Sequence, residues 1–110
     1  MPDNKRPEYF DVPFGIASAI MTTGLNTIAT TESYYYGVSV KASAADCQVT
    51  VYDSAGATSG NLLDLVFVDT SIDGLGKRSD LRNPVKAKLG ITVDVTEDGA
   101  TGVVFYAPKG

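Results

Sequence analysis

The sequence contains no histidine and no tryptophan, and Cys47 is its only cysteine. Nucleophilic sites of the Ser-His-Asp or Cys-His kind need an imidazole to take a proton, so both are excluded. Zinc sites built from cysteine and histidine are excluded as well, and so is a disulfide within the chain. Positive charge is scarce, with 9 Lys and Arg against 13 Asp and Glu and a formal net charge of −4. That balance lacks the global footprint of a nucleic-acid binder. Long apolar runs are missing too. Phe14 to Met21 is far too short to span a bilayer, so no membrane association is expected. The opening Met1-Pro2-Asp3-Asn4-Lys5-Arg6-Pro7-Glu8 lacks the basic-then-apolar order of a secretory signal, and synthesis in the cytoplasm is the expectation.

What is present is ordinary globular composition: 110 residues, 44% hydrophobic and 20% charged, enough for one small domain. Residues 1–14 form a segment of their own. Pro2, Pro7 and Pro13 disfavour both helix and central strand, yet Tyr9, Phe10, Val12 and Phe14 are apolar. This reads as an extended N-terminal arm whose second half docks on its own body or a neighbouring subunit, the plainer alternative being a frayed terminus.

Residues 15–110 read as a single β domain. The threonine-rich stretch 15–31 suits one or two short strands. Further on, Tyr34, Tyr36, Val38 and Val40 alternate with Tyr35, Gly37, Ser39 and Lys41. Cys47, Val49 and Val51 alternate with Gln48, Thr50 and Tyr52, which makes Cys47 a buried thiol. Leu62 to Val68 is an apolar run, Asp69 to Asn83 reads as a long loop, and Val85 to Leu89 and Ile91 to Thr96 alternate again. Asp98-Gly99 is a hairpin signal, with Val103 to Tyr106 returning as the last strand. Short strands with regular turn signals and no helical periodicity predict an all-β fold: an antiparallel β-sandwich or β-barrel, jelly-roll-like.

Two features exceed what a plain monomer needs. Leu62 to Val68 is apolar on both faces, Leu63, Leu65 and Phe67 opposing Leu62, Val66 and Val68, with Asp64 the one polar residue. Val103 and Phe105 likewise oppose Val104 and Tyr106. A two-layer sandwich covers one face of each sheet, so the other is covered by the arm, by a loop or by another subunit. The subunit-interface candidates are Tyr35, Leu62, Val66, Val68, Val104 and Tyr106. The second feature is charge. Lys77, Arg78, Arg82, Lys86 and Lys88 are five of the nine basic residues, with only Asp80 among them. The stretch is thus about +4 and the remainder about −8. It suits docking on an acidic surface, or else a lysine-guarded edge strand.

Catalytic and ligand motifs do not emerge. Leu75-Gly76-Lys77-Arg78-Ser79 lacks the glycine spacing of a phosphate loop. Asp69-Thr70-Ser71-Ile72-Asp73-Gly74 lacks the third acid and distal glutamate of a calcium loop, and Asx-type turns explain the same residues. Glu97 and Asp98 look like ordinary turn acids. No catalytic residue, metal site or cofactor is assigned, and an enzyme is not expected.

The block from Val38 to Lys109 carries Cys47-Gln48-Val49-Thr50-Val51-Tyr52-Asp53, then Ala57-Thr58-Ser59-Gly60-Asn61-Leu62-Leu63. Pro84-Val85, Leu89-Gly90-Ile91-Thr92-Val93 and Ala100-Thr101-Gly102-Val103-Val104-Phe105-Tyr106 follow. In this it resembles the head decoration, or cement, proteins of tailed bacteriophages. The resemblance is one of strands and turns and carries over no site residue. It implies a virion structural protein that binds the outside of an assembled capsid, with the major capsid protein as partner and a homotrimer as the working form. The alternatives are a tail, neck or fibre/receptor-binding virion domain and a soluble carbohydrate-binding β module.

Overall fold

A computed structural model describes residues 16–71, 74 and 76–109. The arm contacts expected at Tyr9, Phe10, Val12 and Phe14 lie outside the described residues. Eight strands are described: β1 (Ile16–Ala17), β2 (Gly24–Ala29), β3 (Ser33–Lys41), β4 (Cys47–Asp53), β5 (Asn61–Val68), β6 (Gly76–Ala87), β7 (Ile91–Val95) and β8 (Thr101–Pro108).

They form two antiparallel sheets. Sheet one has the order β1-β8-β3-β6 and sheet two the order β2-β7-β4-β5. The pairs β1–β8, β2–β7, β3–β6 and β4–β5 are those of one long hairpin folded on itself. The pairs β3–β8 and β4–β7 close each sheet. This is the jelly-roll arrangement of a β-sandwich, which the strand count and turn spacing predicted.

Valines dominate the core, as expected for strands that pack a flat face. Sheet one contributes Tyr35, Val38, Val40 and Val104; sheet two contributes Cys47, Val49, Val51, Val66, Val68, Ile91, Val93 and Val95. Burying each valine contributes about 1.5–3 kcal/mol relative to leaving it in water. Met21, Ala42 and Ala100 complete the same core from the connections between strands.

Three local readings are corrected. The first is the face of β3. Its pairing with both neighbours shifts between Tyr35 and Gly37, so Tyr36 is an extra residue in the strand. A bulge of this kind flips the alternation. Ser33 and Tyr35 therefore share the inner face with Val38 and Val40, while Tyr34 and Tyr36 are half-buried. Gly37 makes the bulge possible. It has φ +147°, and a Cβ there would stand 2.0 Å from the Ser79 carbonyl oxygen.

The second correction concerns the region read as a long loop. Its latter part is β6, a strand of twelve residues that is an edge among the described strands. Its composition is polar, and pairing with β3 rather than propensity makes it a strand. Pro84 is tolerated because β6 is an edge and because its register jumps between Asp80 and Val85.

The third concerns Asp98-Gly99. The turn exists, with Gly99 at φ +86°, but it is not a hairpin. β7 is already flanked by β2 and β4, so the chain crosses to sheet one before β8 begins.

Candidate docking surfaces

Among the described strands β5 ends sheet two, and its register against β4 shifts between Val51 and Tyr52, leaving Leu63 without a partner in that pairing. Asp64, Val66 and Val68 face inward, paired with Val51, Val49 and Cys47. Leu62, Leu65 and Phe67 are 56%, 53% and 47% exposed. The strand is two-sided as expected, but the faces are exchanged. Val66 and Val68 belong to the core, and so do Tyr35 and Val104, which corrects their assignment to an exposed contact surface. Tyr106 is half-buried and packs against the core, whereas Leu62 is exposed as expected. The parity argument missed Leu65 and Phe67.

Asp64 explains the exchange. Its Oδ2 accepts a hydrogen bond from the Tyr35 hydroxyl at 2.8 Å and from Ser79 Oγ at 2.6 Å. Its Oδ1 accepts the Leu65 backbone N–H at 2.8 Å. A carboxylate facing the other sheet is tolerable because β3 and β6 supply its donors. Burial, with the Asp64 charge second, pushes the Tyr35 phenol above its usual range.

The outer face of sheet two has few charges. Pairing rows place Leu25, Asp94, Thr50 and Leu65 side by side, with Thr27, Thr92, Tyr52 and Leu62 in the next row. The loop after β4 meets this face, where the Thr92 hydroxyl donates to the Ser54 carbonyl at 2.9 Å. Leu62, Leu65 and Phe67 remain exposed.

The basic stretch lies along β6, the end strand of sheet one that packs beside β5. Lys77, Arg78, Arg82 and Lys86 are on β6, and Lys88 follows it. The β3 partners of Lys77 and Lys86 are Val40 and Tyr34, six positions apart, so at about 3.3 Å per residue the two cations are roughly 20 Å apart along the edge. Neighbours engage several of these cations. The Lys77 ammonium donates to the Phe67 carbonyl at 3.3 Å. Arg78 Nε donates to Asp80 Oδ1 at 2.7 Å, and its guanidinium lies 4.4 Å from the Phe105 ring centroid. Lys86 and Lys109 both pair with Glu32, at 3.1 and 3.3 Å, which holds the Glu32 carboxyl below its usual range. The strand register also brings in a cation that sequence reading missed. Lys41 lies opposite Gly76, beside the Val40–Lys77 and Ser39–Arg78 pairs. No local signal marks Lys41, because 35 positions of chain lie between it and Lys77.

Several carboxylates are engaged in holding turns. Glu97 accepts the backbone N–H groups of Ser43, Ala44 and Ala45 at 2.7–2.8 Å and the Ser43 hydroxyl at 3.0 Å. These bonds, the Ala44 N–H foremost, hold its carboxyl at about 2. Asp53 accepts the N–H groups of Lys88 and Leu89. Asp46 accepts the Thr70 N–H and hydroxyl. Asp69 accepts from the N–H and hydroxyl of Ser71, the Asx-type turn weighed against a calcium loop. Among the described residues no group of three or more His, Cys, Asp or Glu is placed to hold a metal ion.

Compared with protein-family models, with curated proteins and with solved structures, the chain matches none.

Proposed function

We propose that this chain is a virion structural protein that binds the outer surface of an assembled capsid and stabilises it by bridging neighbouring capsid subunits. Its partner is the major capsid protein, its working form a homotrimer, and its role adhesion rather than catalysis. The observation that carries this reading is the exposed row Leu62, Leu65 and Phe67 along a single strand, β5, at the end of sheet two. Exposed apolar rows on soluble domains mark contact surfaces, and edge strands are normally blunted by charge. The carboxylates committed to turns and the absence of an imidazole agree with a binding role.

The mechanism is linkage. A protein that binds only the assembled, expanded shell lowers the free energy of that shell relative to its dissociated parts. Bridging two subunits raises the effective concentration of the second contact, so modest single contacts suffice.

The test mixes the purified protein with expanded and unexpanded shells of a tailed phage and follows co-sedimentation and heat-induced release of packaged DNA. Binding confined to expanded shells, with release displaced to higher temperature, supports the proposal. Failure to bind any shell refutes it. A second reading, a carbohydrate- or receptor-binding module, draws on the half-buried Tyr34 and Tyr36 of sheet one, where a sugar ring would stack. Glycan binding lost in Tyr34→Ala, without shell binding, favours it.

A further inference from the structure

We infer that the outer face of sheet one carries a carboxylate-binding seat, formed by Lys41, Arg78 and Ser39, which takes an acidic extended segment of a partner protein. The inference rests on the capsid-binding reading only for whose segment it is.

The seat is a product of register. β3 and β6 pair Ser39 with Arg78, and Lys41 with Gly76. An open groove of about 500 Å³ lies over this corner, lined by Ser39, Val40, Lys41, Gly76, Lys77 and Arg78. A second groove, of about 170 Å³, runs on over β8 along Thr101, Gly102 and Val103 and shares Ser39 and Lys41. The two depressions adjoin at Ser39 and Lys41, so a ligand that fills both is extended across the sheet rather than compact.

Arg78 is already set for recognition. The Phe105 ring supports its guanidinium, and Asp80 engages Nε. Its terminal nitrogens make no hydrogen bond among the described residues. A guanidinium held in this way presents a two-nitrogen fork to a carboxylate and loses little freedom on binding. Lys41 has no ion pair among the described residues, and Ser39 supplies a hydroxyl between the two cations. The Lys77 ammonium turns toward β5 and adds to the local field rather than to the fork.

The test uses a fluorescein-labelled hexaglutamate peptide, with fluorescence anisotropy at low salt, against the full chain. Three single charge reversals are compared: Lys41→Glu, Arg78→Glu and, as control, Lys109→Glu at the end of the chain. The seat predicts at least tenfold weaker binding for each of the first two and less than twofold for the control, with circular dichroism unchanged. Equal weakening by all three would show a diffuse charge effect and overturn the inference. So would unchanged binding in the first two, or tighter binding of a single-stranded oligonucleotide than of hexaglutamate. Shell binding separates the two claims. If hexaglutamate binds as predicted but shells do not bind, the capsid reading fails and the seat stands. If shells and hexaglutamate both bind the Lys41→Glu and Arg78→Glu proteins as well as the wild type, the seat fails and the capsid reading stands.

Discussion

Replacing Tyr35 with Phe removes one oxygen from the inter-sheet contact and nothing else. The ring is fully buried, and its hydroxyl is one of two side-chain donors to Asp64 Oδ2. No cavity larger than the hydroxyl is created, so the cost is that of a hydrogen bond to a charged acceptor, about 1.5–3 kcal/mol. For a domain of this size 2 kcal/mol lowers Tm by roughly 8–16 °C. Urea unfolding followed by far-ultraviolet circular dichroism measures it, with a lower midpoint and an unchanged slope expected. Tyr36→Phe is the matched control and should fall within about 0.5 kcal/mol of wild type, because its ring lies in the bulge and not in the core. The same contact has an alkaline signature. The folded phenol ionises above its ordinary value of 10.0, so the stabilisation is complete below that pH and is lost as pH rises beyond it. Tyr35→Phe should flatten that alkaline decline. A Tyr35→Phe protein as stable as wild type, or a Tyr36→Phe protein less stable than it, would refute the assignment of faces on β3 and the role of Asp64.

Glu97→Gln should flatten the acid limb of the stability profile. The folded carboxyl titrates at about 2 and the unfolded one near 4.5, so wild-type stability should fall as pH drops from 4.5 to 2 while the variant stays flatter there. Gly37→Ala should cost more than about 3 kcal/mol or prevent folding, since both the positive φ and the 2.0 Å approach to Ser79 forbid a side chain; expression and thermal melts check it. Val66→Ala and Leu65→Ala, neighbours in sequence, should differ sharply in urea unfolding. The buried valine should lose more than about 1 kcal/mol and the exposed leucine about 0.5 or less.

Much of this fold is legible in the sequence. In β4 and β7 uninterrupted alternation gives the inner face residue by residue: Cys47, Val49 and Val51, then Ile91, Val93 and Val95. It fails where the backbone inserts a residue. The extra Tyr36 in β3 and Leu63 in β5 exchange the faces, and periodicity contains no signal for either apart from Gly37 itself. The inward Asp64 misleads for a related reason: its partners Tyr35 and Ser79 are distant in sequence, so it reads as a solvent-facing residue. β6 is invisible locally because its residues are those of a loop, and it becomes a strand by pairing with β3. The seat at Lys41 and Arg78 is likewise a product of pairing. The basic run from Lys77 to Lys88 is plain in the sequence, but as a strand it is a line of charges, with Lys86 held by Glu32.

The claim on which the functional account turns is that the row Leu62, Leu65 and Phe67 binds protein. Sedimentation equilibrium of the full chain against Leu65→Lys with Phe67→Lys, over a wide concentration range and with matched melting temperatures, tests it most directly. The account predicts a wild type that self-associates toward a trimer and a double variant that remains a monomer. A wild type that stays monomeric at every concentration, and sediments identically to the variant, would contradict it.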